Sequence, residues 1–337
     1  MSFVDVIVPC YKYGRYLEAC VQSVLSQEGV DVRVLILDDA SPDHTPEVGR
    51  RLAAQDSRVE YRRHRTNQRV ITTVNEGLAW SGRDYTVVLS ADDLLAPGCL
   101  YRATRLMNSD KQVGLTYGRC LRFSDDEPPA QGFGDSNSRW KVVSGRGFFE
   151  GICGTASNPV YTPTVVTRTS VQKEIGGFLP ELPHTADLAM WLHFAARGSI
   201  GWVDAVQGIS RVHAQSMSKT EFNTPLLDLQ QRRLAFDLTF AAVGDHIPDS
   251  EHLHNLATQV LAREAFWSAS RAFDQGDSKA CRDLLAFASA LVPAIQNRRE
   301  WSRLRWKRRL GTKVWSVLRP LIERWRGRPA RVVSRET

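Results

Sequence analysis

Tyr85-Thr-Val-Val-Leu-Ser-Ala-Asp-Asp-Leu-Leu-Ala-Pro-Gly98 is the stretch that decides how this chain folds. Tyr85 to Leu89 is a β-branched and aromatic run without polar alternation, the pattern of a strand covered on both faces. The run leads to two adjacent carboxylates, Asp92 and Asp93, and Pro97-Gly98 then open a helix. Ligands of open α/β sheets sit at the carboxyl ends of strands. Paired acids there are costly unless something positive neutralises them, and a divalent metal carrying a phosphate would do so. A helix N-terminal turn explains the same two residues, because Asp caps free N–H groups and complements the helix dipole. The stretch alone leaves both readings open.

The preceding segments repeat this design. Val4-Asp-Val-Ile-Val-Pro9 is a buried strand that stops at a proline, and Leu17, Cys20, Val21, Val24 and Leu25 then recur at helical spacing. Val32 to Leu37 is a second strand, ending on Asp38-Asp39. Thr45 as an N-cap with Pro46 at the first helical position predicts a helix to about Gln55. Val59 to Arg62 is a third strand, and Asn67 begins a loop into a helix over Ile71 to Ala79. Strands alternating with such helices form right-handed βαβ units in a mostly parallel sheet. Pro9-Tyr11, Asp38-Asp39 and Asp92-Asp93 therefore fall on one edge of that sheet.

Beyond Gly98 the pattern is less regular. Gly114 to Phe123 and Tyr161 to Arg168 read as strands. Ser124 to Gly147, rich in Asp, Pro, Gly and Ser, reads as a long surface loop or lid. A short helix runs from Ser170 to Gly176-Gly177, and Leu188, Trp191, Leu192 and Ala195 mark a helix ending at Arg197-Gly198. Trp202-Val203 and Ile209 to His213 are short strands, and from about Glu221 the pattern is helical.

The chain has 337 residues, 42% hydrophobic and 24% charged, as expected of a globular protein. Its six cysteines are scattered without Cys-x-x-Cys spacing, which points to reduced core residues in a cytoplasmic setting. A strand begins at once, so no secretory signal is expected, and no apolar run is long enough to span a membrane. The net charge of +7 is uneven: residues 298 to 331 hold 13 Lys or Arg against two Glu, so the chain before Arg298 sums to about −4.

Several motifs, in order, resemble the family 2 glycosyltransferases over roughly residues 3 to 220. They are Val8-Pro-Cys-Tyr-Lys-Tyr-Gly-Arg-Tyr-Leu17 with Ser23-Val-Leu-Ser-Gln27, then Leu37-Asp-Asp-Ala-Ser41, and then Asn67 through Asn75-Glu-Gly77. Ser90-Ala-Asp-Asp93 follows, then Gly176-Gly-Phe178, Asp187 and Arg211-Val-His-Ala-Gln-Ser-Met-Ser218. The resemblance implies an α/β, GT-A type nucleotide-diphospho-sugar transferase fold: a mostly parallel central sheet with flanking helices, plus a C-terminal helical extension. It implies a domain over 1–220, with a donor half at 1–123 and an acceptor half at 148–220, and an extension at 221–337. The implied activity is inverting, metal-dependent transfer from a nucleotide-diphospho-sugar, a UDP-sugar by expectation, to a hydroxyl of a glycan or lipid-linked acceptor. Surface polysaccharide or lipid-linked glycan assembly is the setting in which the family is heavily used.

Residue by residue, Tyr11 would stack on the base and Asp39 would accept from it, beside Pro9. Asp38 is balanced between solvent and ribose contact. Asp92 and Asp93, with His213, would hold Mg²⁺ or Mn²⁺ against the diphosphate. Ser90, next to Ala91, stands where the family carries its first Asp. Asp187 matches the catalytic base, which one-step inversion needs on the acceptor side, and Ala186 replaces its usual acidic neighbour. Arg69, Asn75 and Arg211 are candidate phosphate or ribose contacts. The bland readings are a strand-end turn for Asp39, a dipole partner in a first helical turn for Asp187, a structural or solvated His213, and solvated surface for the arginines. Ser90 and Ala186 also support a non-catalytic nucleotide-sugar-binding protein.

In the tail, Leu310, Val314, Val317, Leu318, Leu321, Ile322 and Trp325 make a stripe opposite Arg and Lys, with Trp301, Trp306 and Trp315 added. That suits peripheral association with an anionic membrane at the inner face of the cytoplasmic membrane, or equally a helix packed on the core. No nucleic-acid partner is expected, because the main domain offers no basic groove.

Overall fold

The computed structural model describes residues 1–124, 139–213 and 223–312, with 314, 315, 317 and 318. The first half is three βα units and a further strand: β1 (Ser2–Cys10), α1 (Gly14–Leu25), β2 (Val30–Asp38), α2 (Thr45–Gln55), β3 (Val59–Arg63), α3 (Val70–Trp80) and β4 (Tyr85–Val88). β5 (Leu94–Leu95), α4 (Cys99–Ser109), β6 (Val113–Phe123), β7 (Trp140–Val143) and α5 (Gly145–Thr155) follow. A 3-10 turn at Thr162–Thr164 precedes β8 (Val166–Arg168), α6 (Thr169–Ile175), α7 (Ala186–Ala195) and β9 (Ser199–Arg211). The rest is helical: α8 (Pro225–Val243), α9 (Ser250–Asp274), α10 (Ser278–Leu291) and α11 (Arg299–Leu310).

The strand order is β3-β2-β1-β4-β8-β6-β9-β5, with β7 on β9. Pairing is parallel through β3-β2-β1-β4 and between β6 and β9. It is antiparallel where β8 sits between β4 and β6 and where β5 and β7 join β9. Alternation explains the layers. Val4, Val6 and Val8 of β1 and Val32, Val34 and Ile36 of β2 join one apolar cluster with Leu17, Val21, Leu100 and Met107 of α1 and α4. Ile7, Leu35 and Leu37 point the other way, to Val74 and Leu78 of α3. α3 lies so close to β1 that a Cβ at Gly77 would collide with Ile7.

That second cluster continues through Phe149, Trp191 and Phe194 into Phe236, Leu261, Phe266 and Leu284 of the C-terminal helices. A boundary at residue 220 therefore cuts through a shared core. Trp301 of α11 stacks on Phe266, with ring centroids 5.6 Å apart, and Leu304 and Trp315 are buried. This part of the tail packs on the core, whereas Trp306 is 53% exposed. The remaining basic tail, with Leu321, Ile322 and Trp325, lies outside the described residues. Among the described residues no helix is long and apolar enough to cross a membrane. All six cysteines are free, and five are buried.

Four expectations need correction. The expected loop over 124–147 holds β7 and the start of α5, because Trp140 to Val143 add an edge strand to β9. Tyr161 to Arg168 is a strand only from Val166, since the Pro163 turn intervenes. The two short strands near 202 and 209 are one, β9, whose length supports β5, β6 and β7. Thr45 is the first helical residue and His44 the N-cap of α2.

The strand reading also overlooked Asp5, which is fully buried in β1. Its carboxylate accepts from the Gly82 and Arg83 amides (2.8 and 3.1 Å) and from Arg33 Nε and Nη2 (2.9 and 3.0 Å). It thereby fixes where the chain enters β4. Asp5→Ala is expected to lower stability by about 3 kcal/mol or more, because it strands a guanidinium and two amides. A urea unfolding midpoint that hardly moves would refute that role.

Candidate active site at the carboxyl edge of the sheet

The loops after β1 and β2 are joined to each other at the carboxyl edge. The Asp39 amide donates to Cys10 O (2.9 Å), Lys12 N–H to Ser41 Oγ (3.1 Å), and Gly14 N–H to Asp43 Oδ2 (3.1 Å). Lys12, Ala40 and Arg69, one in each loop after β1, β2 and β3, have φ of 64°, 59° and 69°. Non-glycine residues pay a conformational penalty there and cluster where a site imposes the backbone. Tyr11 stands 39% exposed at this edge, with Lys12 Nζ 4.9 Å from its ring centroid, and Pro9 is half-buried beside it.

The two acids ending β2 differ. Asp39 Oδ1 accepts from the Gln68 amide (2.6 Å) and pairs with His64 Nδ1 (2.8 Å), while His64 Nε2 reaches Glu76 (2.9 Å). Burial alone would lower the His64 pKa, but Asp39 and Glu76 together raise it. Both Asp39 bonds fall on Oδ1, which leaves Oδ2 for a ligand donor. Asp38 is instead fully buried and holds the turn: Oδ1 accepts from the Ser41 amide (2.8 Å), and Oδ2 takes the Tyr61 hydroxyl (2.7 Å) and Arg63 (3.1 Å). The ribose contact considered for Asp38 is replaced by this scaffold role.

The antiparallel register Leu94↔Ile209 brings the acids after β4 opposite the end of β9. Asp93 accepts from the Arg211 amide (3.0 Å) and from the Ser210 hydroxyl, and burial, then Asp92, push its pKa up to about 7. Asp92 Oδ2 meets His213 Nε2 at 3.0 Å. The His213 ring packs edge-on against Tyr13 (5.4 Å) and near Tyr16 (5.8 Å), and its Nδ1 is buried without a hydrogen-bond partner among the described residues. Burial, then Asp92 and Asp93, raise the Tyr13 pKa, so its phenol stays protonated. Ala91 is fully buried, and the carbonyl of half-buried Ser90 accepts from the Asp93 amide (3.0 Å).

The Asp93 carboxylate is thus engaged by β9, and Asp92 is the acid of the pair that meets His213. The Arg211 guanidinium carbon lies 4.3 Å from the Tyr16 ring and 4.5 Å from Phe123, and Nε donates to Asp92 O (3.4 Å). Asn75 is a clamp, not a ribose contact. It accepts from Phe178 N–H (2.7 Å) and donates to Phe178 O (2.9 Å), and a Cβ at Gly177 would strike it. Arg69 is exposed at the start of α3, its amide bonded to Asn67 Oδ1 (3.0 Å).

Among the described residues no group of three or more potential ligands converges. Asp92 and His213 nonetheless suit Mg²⁺ or Mn²⁺, which take one or two protein ligands when phosphates and water complete the shell.

Asp187 is in the first turn of α7. Its Oδ1 accepts from the Leu188 amide (2.7 Å) and Oδ2 from Asn158 Nδ2 (2.9 Å). Burial pushes its pKa up to about 6, against those hydrogen bonds and the charge of His184. The chain from Asn158 runs into the Pro163 turn, whose carbonyl closes on Gly208 opposite Leu95. Asp187 and Asp92 are thus tied to one β5–β9 corner. Asn158, His64 and Gln68 were not found by sequence reasoning; position after β3 was a signal for His64, and Asn158 gave none.

The chain resembles several known proteins. Residues 5–151 match the model of glycosyl transferase family 2. The chain is 24% identical over 261 residues to an uncharacterized protein of Mycobacterium tuberculosis (73% of this chain, 78% of that one). It is 26% identical over 119 residues to the glycosyltransferase GlyG of Streptococcus pneumoniae (34% of this chain, 40% of that one). The match thus reaches less than half of that relative's length. Its fold is similar to that of S. aureus TarS 1-349 in complex with UDP-GlcNAc: TM-score 0.64, 16% identity, 98% of this chain and 93% of that one. It is also similar to that of the mannosyltransferase PcManGT of Pyrobaculum calidifontis, in complex with GDP-Man and Mn²⁺: TM-score 0.51, 16% identity, 96% and 88% covered. Residues 5–151 are thus similar to glycosyl transferase family 2, and the fold is of GT-A type.

Asp92→Asn and His213→Ala are each expected to weaken Mn²⁺-dependent UDP binding by about tenfold or more, measured by titration calorimetry with and without EDTA. Affinity unchanged in both would remove this pair from the binding site.

Proposed function

We propose that this protein transfers a sugar from a UDP-sugar to a hydroxyl of a glycan or lipid-linked acceptor, by metal-dependent, inverting displacement. The observation that carries the proposal is the pairing of buried Asp92 with half-buried His213 on the edge that also carries Asp39 and Tyr11. Tyr11 and Asp39 Oδ2 would take the base, the first by stacking and the second by accepting its N–H. A Mg²⁺ or Mn²⁺ ion held by Asp92 and His213 would offset charge developing on the diphosphate.

Asp187 would act from the acceptor side. Its carboxylate takes the acceptor proton as that oxygen bonds to the anomeric carbon, and the bond to the diphosphate breaks with UDP keeping the electron pair. With a pKa of about 6, Asp187 is mostly a carboxylate at neutral pH. The protonated form, which cannot accept, grows as pH falls. Polysaccharide or lipid-linked glycan assembly in the cytoplasm, near its membrane, is the setting proposed.

A panel of UDP-sugars incubated with Mn²⁺ should show UDP release that EDTA abolishes, and an acceptor product of inverted anomeric configuration. No release from any donor, even with glycan extracts, would favour a non-catalytic nucleotide-sugar-binding protein. The release rate should fall about tenfold per pH unit below about 6, and Asp187→Asn should abolish it while retaining UDP binding. Near-wild-type release by that variant would refute the base assignment.

A further inference from the structure

One turn of α8, outside the family-matched residues, reaches the candidate base by two separate routes. In the first, Asp228 Oδ1 pairs with His184 Nε2 (3.2 Å), Gln231 Oε1 accepts from the His184 amide (3.4 Å), and Gln231 O accepts from the Thr185 hydroxyl (3.1 Å). Thr185 is the N-cap residue of α7, two positions before Asp187. These bonds therefore fix the entry of the helix that carries the base.

In the second route, Arg232 Nη1 donates to Ala156 O (2.8 Å). Ala156 is fully buried with φ of 47°, a conformation that L-residues adopt at a cost. Holding it there places Asn158, two residues on, so that its Nδ2 donates to Asp187 Oδ2. Arg232 is 8% exposed and is itself held by Asp228 (2.8 Å) and Glu264 of α9 (2.9 Å). A buried guanidinium is tolerated when it is paired in this way.

Asp228, Gln231 and Arg232 lie at i, i+3 and i+4, so they share one helix face. We infer that this face of α8 is a positioning element for Asp187, so that the C-terminal helices are part of the catalytic unit. The inference rests on Asp187 being the base. The charged groups facing Asp187 are His184 from its own loop, then Asp228 and Arg232 of α8 and Glu264 of α9 behind them. Asp228 stays ionised: burial raises its pKa, but His184 and Arg232 outweigh that.

The test uses the full chain with Arg232→Met, Arg232→Lys, Asp228→Asn and Asn158→Ala, and with UDP and Mn²⁺ as the binding probe. Asp187 is titrated by carbon-13 NMR of labelled aspartate, with Asp187→Asn giving the assignment, and UDP release is followed across pH. Arg232→Met and Asn158→Ala should each move the Asp187 titration up by about half a unit or more. These two and Asp228→Asn should lower kcat about tenfold, while UDP affinity stays within about twofold and Arg232→Lys recovers part of the loss. Asn158→Ala leaves the α8 network intact, so it reports on the Asp187 contact even if Arg232→Met fails to fold. If the titration and kcat are unmoved in all these variants while Asp187→Asn is inactive, the inference is overturned and the base reading stands. If Asp187→Asn releases UDP at the wild-type rate, the base reading falls, and the inference with it.

Discussion

Two consecutive carboxylates buried at the end of β4 are the constraint on which this site depends. A sheet edge cannot hold Asp92 and Asp93 side by side in a poorly hydrated place without partners. The structure separates their roles. Asp93 turns to the end of β9 and accepts its backbone N–H, while Asp92 turns to His213. One carboxylate thereby locks β5 and β9 together, and the other pairs with the His213 imidazole.

The surroundings serve the same end. Arg211 lies between Tyr16 and Phe123, and Tyr13 and Tyr16 line the His213 ring. Left-handed residues after β1, β2 and β3 shape the edge, and Asp43 ties the first two of those loops together. On the other side Asp187 is held by its own helix turn and by Asn158, both backed by the C-terminal helices. Rigid supports of this kind are what a reaction by positioning requires.

Much of this was legible from residue pattern alone. Runs such as Val32 to Leu37 end on acids and alternate with amphipathic helices, so the parallel half and its functional edge follow from period and punctuation. The mixed half was harder. β5 is two residues long and β7 only four, and neither carries a periodic signal that sets it apart from a loop. Side-chain commitment was harder still. Asp38 and Asp39 are indistinguishable in sequence, yet partners contributed by Tyr61, Arg63, His64 and Gln68 give them different tasks. Asn75 and Arg211 read as ligand contacts because polar residues near a site are usually free to be so. The structure commits them to Phe178 and to two aromatic rings.

We propose that Asp92 and His213 mark the place where a divalent ion meets the donor diphosphate. Anomalous scattering from crystals grown with UDP and Mn²⁺ tests it most directly. One Mn²⁺ peak is expected within about 2.0–2.3 Å of an Asp92 carboxylate oxygen and a His213 ring nitrogen, with diphosphate oxygens completing its shell. UDP bound with its diphosphate away from this pair, or Mn²⁺ held elsewhere on the chain, would contradict it.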